Sequence, residues 1–444
     1  MTEEPNDIET PLAPEAETVC SEEEFVAILA REIPPLVHID GLVRSNERAR
    51  LSRRLLATVA EEAAELEDLL TDYDAPYNRT FSHLYELVSA LQSFSAVGYT
   101  VKSLEHRTSR LGFPGDEELD GEFALETKRT LDFVEGGVRS LLAAIGQQSR
   151  RHCGPALAGG APSHIMQERL GEKKLPHTVG ADDVHDVKAR IATEASLYLA
   201  ALKTLRERSS GERFSDVAAM RRYVLDVCDE EQARFFEAKL ANIQSRYDTF
   251  VVNSLTERRD TRLRRFRQIV GTARDLIRII TLLVHYYERH EDDLRSKEAR
   301  DRIATMLDKE QILDRILNYA LYFAQRILDA GEPLAQTLLD DYTVSRCVTL
   351  TLPEGVVLHA RPSSLIVKIV VHHGTPVEMQ LGDQRCYAGS ITQVIMAAGA
   401  QHGLREVTFT GDVKPITDIE TLFAHRLGED GMGSLPDELA YLRD

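Results

Sequence analysis

Hydrophobic side chains recur at the spacing of one helix face through most of the first 340 residues. One such stripe comprises Leu55, Val59, Leu66, Leu69 and Leu70. Another comprises Leu84, Leu87, Val88, Leu91 and Phe94. The most regular one comprises Ile312, Leu313, Ile316, Leu317, Ala320, Phe323, Ala324 and Ile327. Spacings of three, four and seven positions are typical of amphipathic helices that cover a core, so this part of the chain is predicted to be all-α.

Glycine and proline divide the helical pattern. A Gly/Pro-containing stretch interrupts it, and we interpret residues 151–185 as a linker or long loop. Residues 21–150 and 186–340 are therefore predicted to form two helical domains, each a helical bundle. Gly331 and Pro333 predict the end of the last long helix, because neither residue favours a helix interior.

After residue 343 the pattern changes to short, alternating, β-branched runs with two helical segments between them. Gly382 and Asp383 separate two of these runs and predict a hairpin turn. The predicted element order is βαββαβα over residues 343–430, which indicates a compact α+β domain with helices against a mainly antiparallel sheet. Residues 431–444 are interpreted as a C-terminal tail.

The N-terminal segment is strongly acidic. Residues 1–24 contain nine acidic side chains and no Lys or Arg, and the net charge of the chain is −19. We interpret residues 1–20 as an acidic disordered tail. Ser21 followed by three glutamates matches a capping box, which predicts that the first helix begins there. The acidic total argues against general binding of nucleic acid.

Several patterns bear on where the protein works. The five cysteines are scattered and form no CxxC pair, which favours a reducing compartment. The start of the chain has no basic and apolar leader pattern. The longest apolar run, Leu276–Val284, contains Arg278 and is far shorter than the ~20 residues of a membrane span. We therefore predict a cytoplasmic protein with no membrane partner and no cofactor.

Other candidate sites have simple alternatives. The pairs His372/His373 and His285/His290 lack carboxylate or cysteine company at a recognised spacing, so we predict solvated helix histidines and no metal site. Residues 258–267 contain six arginines and one acid. This basic run fits nucleic acid, an acidic partner or the acidic N-terminal tail of the chain itself, but a solvated helix face is the favoured interpretation.

His359 carries the most specific chemistry. It follows a predicted strand and a turn at Gly355, and it precedes a predicted helix. The first N–H groups of a helix have no helical partner and lie at the positive end of its dipole, which suits phosphate. Arg361 adds a guanidinium for phosphate oxygens, and imidazole can carry a phosphoryl group. A transient phosphohistidine site is therefore predicted, with a plain polar cap as the alternative.

The stretch GVVLHARPSS, residues 355–364, resembles the active-site motif of HPr, the histidine-containing phosphocarrier protein of the sugar phosphotransferase system. A second block, Gly389–Ala400, resembles the regulatory-serine helix of that family. The interval of 31 residues between His359 and Ser390 also suits it. The resemblance covers about a fifth of the chain and implies the fold of HPr, an open-faced β-sandwich.

The resemblance also implies roles for individual residues. His359 would accept phosphate from Enzyme I, itself charged by phosphoenolpyruvate, and pass it to an EIIA-type acceptor, while Arg361 would stabilise the phosphorylated state. Ala360 and exposed apolar side chains near Ile391 and Val394 would help to dock Enzyme I. These expectations belong to a bacterial, cytoplasmic phosphotransferase pathway.

Ser390 has two interpretations. The resemblance implies a regulatory phosphorylation site for an HPr kinase. Gly389 departs from the family pattern, because many relatives carry a basic residue there, and this weakens the case for a kinase. A serine at this position also fits a simple helix N-cap.

Two hypotheses for the whole chain follow. In the first, the protein is a phosphocarrier or phosphorelay regulator in which the helical region responds to His359 or binds a further, unknown partner. In the second, the chain is a helical scaffold or effector that uses the HPr-like module only for docking, without phosphoryl flux. A carrier or regulator is favoured over a free-standing enzyme.

Overall fold

The structure is a computed structural model that describes residues 20–111, 117–154, 187–291, 302–401 and 403–443. The described chain is mostly helical, with a four-stranded antiparallel sheet near its C-terminal end. This confirms the coarse prediction of a helical region followed by a small mixed segment. The predicted acidic tail and the predicted linker lie outside the described residues, apart from a few positions at their edges. None of the described helices is both long enough and apolar enough to cross a membrane.

The described chain divides into two compact units. The first unit draws on the described parts of Met1–Tyr99, Phe133–Arg169 and Asp292–Leu307. Its helices are α1 (Glu22–Glu32), α2 (Pro34–Ser45), α3 (Arg53–Asp72) and parts of α4 (Ser82–Leu111) and α5 (Glu117–Cys153).

Local sequence signals place the elements of the first unit. Ser21 Oγ accepts from the Glu24 N–H at 3.2 Å, and Glu24 Oε2 accepts from the Ser21 N–H at 2.9 Å, so the predicted capping box is confirmed. The predicted apolar stripes of α3 and α4 are buried, except that Leu69 is only half-buried. Amphipathic spacing thus identified the core-facing side of these helices.

The second unit contains the remaining described residues, including the ends of α4 and α5. Its further helices before the sheet are α6 (Val187–Arg208), α7 (Val217–Asp226), α8 (Glu230–Phe250), α9 (Leu255–Arg259), α10 (Thr261–Glu291), α11 (Lys309–Asp314), a π-helical segment (Arg315–Leu321) and α12 (Tyr322–Tyr342).

Helix α12 does not end at Gly331 and Pro333, as the sequence analysis expected, but continues to Tyr342. A side chain at Gly331 would collide with the Tyr198 hydroxyl, so this glycine allows the close approach of α6. The Tyr198 hydroxyl donates to the Leu328 carbonyl at 2.6 Å, in the turn preceding Pro333. Beyond the proline, Leu338 is also fully buried. Packing therefore outweighs the local preference of Gly and Pro to end a helix.

Residues 344–443 form what we call the C-terminal module. Its elements are β1 (Ser345–Thr351), α13 (Ala360–His373), β2 (Val377–Leu381), β3 (Gln384–Tyr387), α14 (Ile391–Ala400), β4 (Glu406–Asp412) and α15 (Val413–Ala424). The order βαββαβα is the predicted one. The strand order is β1-β4-β2-β3, and every neighbouring pair is antiparallel. Gly382, with φ of 58°, and Asp383 make the predicted two-residue hairpin turn.

The three helices of the module share one core with the sheet, which includes Ile366, Phe409 and Ile419. On the sheet itself, the hydroxyls of Thr349 and Thr408 meet at 2.9 Å in an exposed position.

Residues 431–444 were expected to be a tail, but the described part of this segment, 431–443, contributes to the same core. Leu435, Leu439 and Leu442 are buried there, the last two within a 3₁₀ segment, Asp437–Leu442. These leucines have the spacing of a helix face, but the run is only eight residues long, follows Gly431 and Gly433, and contains Pro436. The pattern therefore resembled a tail.

Candidate functional site

His359 is the N-cap residue of helix α13. Its backbone is extended, with φ of −92° and ψ of −169°, and its carbonyl accepts from the Ser363 N–H at 3.1 Å. Its Nδ1 atom accepts from the Arg361 N–H at 3.3 Å. The side chain is 49% exposed. The sequence therefore located this histidine correctly at a helix entrance, with one ring nitrogen directed at the free N–H groups of the first turn.

The other ring nitrogen faces an acidic side chain that the sequence analysis missed. His359 Nε2 lies 3.2 Å from Glu429 Oε1. Because Nδ1 accepts a hydrogen bond, the proton of the neutral ring is assigned to Nε2, on the side of the carboxylate. With a neutral ring this contact is a polar approach and not an ion pair. Glu429 Oε1 has no hydrogen bond of regular geometry among the described residues.

A tight turn brings Glu429 to the histidine. Arg426, Leu427 and Gly428 have φ values of 51°, 55° and 74°, a left-handed run that reverses the chain after helix α15. Left-handed backbone is costly for the two non-glycine residues. Leu427 is fully buried, which offsets this cost by fixing the turn to the core.

Two arginines lie at this end of the module and differ in their contacts. Arg361 is exposed, and its guanidinium makes no hydrogen bond or ion pair within the part of the chain that the structure describes. Arg426 donates to the Glu354 carbonyl at 3.2 Å, and its Nε lies 3.3 Å from Asp430 Oδ1. Arg426 thus holds the loop before His359 to the turn after α15, whereas Arg361 is available to an incoming anion.

Ser390 occupies the N-cap position of α14, but its side chain makes no capping hydrogen bond. Only its backbone carbonyl accepts, from the Val394 N–H at 3.0 Å. Ser390 therefore has the predicted N-cap position, but the expected capping hydrogen bond to its side chain is not formed. A side chain at Gly389 would collide with the ring of Tyr387, which gives a physical reason for glycine at this position.

Val394 is not a surface residue. It is fully buried, because it lies on the core side of α14 together with Ala397. The exposed apolar side chains of this helix are Ile391 at 41%, Ile395 at 39% and Met396 at 68%. We call these three residues the apolar patch. Ala360, at the start of α13, is also exposed.

The sequence predicted that the two histidines at the C-terminal end of α13 are solvated, but in the structure both contact other side chains. His373 Nε2 lies 2.7 Å from Asp418 Oδ2, and the Tyr441 hydroxyl donates to the same oxygen at 2.6 Å. Although burial disfavours the charge of Asp418, the bonds from His373 and Tyr441 hold the pKa of its carboxyl below the usual value. His372 stacks on the Tyr441 ring at 3.7 Å.

Within residues 20–443, apart from the undescribed stretches, no group of three or more His, Cys, Asp or Glu side chains could hold a metal ion. His285 Nδ1 lies instead 2.7 Å from Glu230 Oε2.

Part of the basic run 258–267 is paired within the fold. Arg262 contacts Asp260 and Asp341 at 2.7 and 2.8 Å. Arg267 contacts Asp248 at 2.5 Å. These ion pairs neutralise part of the positive charge of the run, which leaves less of it for an external partner.

No family model, curated protein or solved structure matches the chain.

Proposed function

We propose that the protein is a phosphocarrier or phosphorelay regulator of phosphotransferase type, with His359 as the phosphoryl acceptor. The observation that carries this proposal is the arrangement of the imidazole: Nδ1 faces the N–H groups of the first turn of α13, and Nε2 faces Glu429. A histidine serving only as a cap needs the first of these contacts and not the second.

The geometry favours Nδ1 as the nucleophile. Its lone pair is occupied only by the long contact to the Arg361 N–H, which an approaching phosphorus atom can displace. The N–P bond forms as the bond between phosphorus and the donor's leaving atom breaks, and the proton stays on Nε2. The freed N–H can then donate to a phosphoryl oxygen at the positive end of the helix.

Two charged side chains support this step. The ring becomes positively charged when Nδ1 is phosphorylated, and the Glu429 carboxylate beside Nε2 stabilises that charge. The Arg361 guanidinium, exposed and unpaired within the described chain, suits the oxygens of the transferring group. Both contributions grow as charge develops, so they lower the barrier as well as stabilising the product.

The partners follow from the resemblance to HPr. Enzyme I is the proposed donor and an EIIA-type protein the proposed acceptor. The apolar patch on α14 offers an exposed surface for such docking, and Ser390 at the start of this helix is the proposed site for an HPr kinase. The βαββαβα order and the exposed Thr349–Thr408 pair on the sheet are consistent with an open-faced β-sandwich.

Phosphoenolpyruvate-dependent labelling tests the proposal. The full chain is incubated with purified Enzyme I and labelled phosphoenolpyruvate, and acid-labile, base-stable phosphate is measured. We expect labelling of the wild type and of His372→Gln, a matched change at the far end of α13, but none of His359→Ala. Labelling that persists in His359→Ala would disprove the assignment. A folded wild type that stays unlabelled would favour the alternative, a helical scaffold whose module serves only for docking.

A further inference from the structure

An open groove of about 280 Å³ lies between helices α6 and α8. Its floor is apolar: Ala201 and Ile243 are buried, and Leu197 is half-buried beside them. Sites for small molecules usually have volumes of ~300–1,000 Å³ and mainly apolar walls with a few polar groups. The volume of the groove is just below this range.

The rim of the groove is polar and positive. Lys239, Asn242 and Arg246 line it, and their spacing of three and four places them on one face of α8. Lys239 Nζ lies 4.4 Å from the centre of the Phe235 ring. None of the described residues that line the groove carries a carboxylate. Its complement is therefore a ligand with a negative group and an apolar body.

A buried carboxyl group lies next to this rim. Glu194 shares a face of α6 with Leu197 and Ala201 and is only 1% exposed. Arg246 Nε lies 2.7 Å from Glu194 Oε1. Neither oxygen of Glu194 has a hydrogen bond of regular geometry within the described chain, so the contact is an ion pair without good alignment. A buried charge held this loosely is costly.

Burial raises the pKa of Glu194 to about 7, in spite of the guanidinium groups of Arg246 and Arg190. Other titratable groups that interact with α6 include His372 on α13, which interacts with Arg190, and Asp329 and Glu332 on α12, which pair with Arg206 about three turns further along α6. Arg246 is therefore the group whose pairing changes most directly when Glu194 takes up a proton.

We propose that this groove binds a small organic anion with an apolar body, of the kind represented by a medium-chain carboxylate. The head group pairs with Lys239 and Arg246, and the alkyl part covers Leu197 and Ile243. Protonation of Glu194 releases Arg246 to the ligand, so binding strengthens as the pH falls from 8 to 6. This site is independent of the function proposed for His359.

Calorimetric titration of the full chain with octanoate tests the proposal, with octanol as a neutral probe of the same length. We expect octanoate to bind at one saturable site and more tightly at pH 6 than at pH 8. Octanol should bind at least about tenfold more weakly, since it lacks the charge that the two cations recognise. In Glu194→Gln the difference between the two pH values should disappear.

Variants locate the site. Lys239→Gln should weaken octanoate binding about tenfold. Ala200→Phe should abolish it, because Ala200 lines the groove from an exposed position and the larger ring fills the space. Lys203→Gln removes an equal charge from an exposed position of α6 outside the groove and should bind as the wild type does. Thermal melts of all three should match the wild type.

Three results would overturn the proposal: no octanoate binding, equal affinity for octanoate and octanol, or unchanged binding in both Lys239→Gln and Ala200→Phe. Sedimentation of the same variants provides a further check. If they change the association state of the chain while octanoate does not bind, the groove is a protein interface and the proposal is wrong.

Discussion

His359 Nε2 and Glu429 Oε1 lie 3.2 Å apart although the two residues are 70 positions apart in the sequence. A carboxylate here keeps the proton on Nε2 and faces the positive charge that phosphorylation places on the ring. Both residues are partly exposed, which limits the pair to ~1 kcal/mol. Glu429→Gln should therefore slow phosphoryl acceptance about fivefold, measured as the initial rate of labelling by Enzyme I and phosphoenolpyruvate.

Asp430→Asn is the matched control for this prediction. It removes the same charge from the next residue, whose carboxylate faces Arg426 and not the imidazole. This variant should be labelled at nearly the wild-type rate. Equal slowing in both variants would indicate a general effect of charge on partner docking, and would contradict a direct role for Glu429.

Arg361 is expected to act on the phosphoryl group itself. Arg361→Ala should slow labelling about ten- to a hundredfold, since a charge-assisted contact contributes ~1.5–3 kcal/mol. It should also shorten the lifetime of the phosphorylated protein. Arg361→Lys should recover only part of the rate, because an ammonium cannot make a two-pronged contact. Arg385→Ala, an exposed arginine on β3, serves as the control, and an Arg361→Ala rate equal to its rate would rule out this role.

The sequence predicted those features that depend on local pattern. The capping box at Ser21, the hairpin at Gly382 and the position of His359 at a helix entrance each depend on neighbouring residues, and the structure contains all three. Amphipathic spacing also indicated which sides of α3 and α4 are buried, because a helix places residues three and four apart on one face.

The features that sequence reasoning missed depend on residues far apart in the chain. Gly331 lies inside helix α12, where the absence of a side chain leaves room for the Tyr198 hydroxyl. Val394 is buried because the sheet and the other helices cover one side of α14. Glu429 reaches His359 only through a left-handed turn. No local pattern carries such information, since tertiary packing decides each of these outcomes.

Ser390 permits a test of regulation. Ser390→Asp adds a negative charge beside the apolar patch, and burying that charge against a partner without a counterion is costly. We expect normal folding but slower labelling of His359 at sub-saturating Enzyme I. Ser390→Asn, of nearly the same shape but neutral, should be labelled normally. Ser390→Ala should melt as the wild type does, because the side chain makes no capping bond. Labelling of Ser390→Asp at the wild-type rate would exclude the switch.

The module should fold alone only if its last residues are present. Residues 343–444 should give a cooperative thermal melt, followed by circular dichroism, whereas residues 343–430 should not. The shorter piece lacks three buried leucines, each worth ~1.5–3 kcal/mol, a total comparable with the stability of a small domain. In the longer piece, Leu439→Ala should lower the midpoint and exposed Glu438→Ala should not. A stable 343–430 would show that the C-terminal segment is dispensable.

Glu194 should make the stability of the protein depend on pH. Burial raises the pKa of its carboxyl from the ordinary 4.5 to about 7 in the folded chain. Between these values the folded state keeps a proton that the unfolded state has lost, so the free energy of unfolding falls as the pH rises from 4.5 to 7. Above pH 7, Glu194 causes no further change in the free energy of unfolding. The total loss is roughly 3 kcal/mol at 1.36 kcal/mol per pH unit.

Glu194→Gln should remove this contribution, because the amide does not ionise. Urea unfolding at pH 5.5 and pH 8 measures this contribution. At each pH the free energy of unfolding of the wild type is subtracted from that of the variant, which cancels the effect of the other titrating groups. This difference should be more favourable to the variant at pH 8 than at pH 5.5. Glu207→Gln, an exposed position on the same helix, should follow the wild type at both. If Glu194→Gln keeps the wild-type dependence on pH, the carboxylate is well solvated, and Arg246 is not released to a ligand by its protonation.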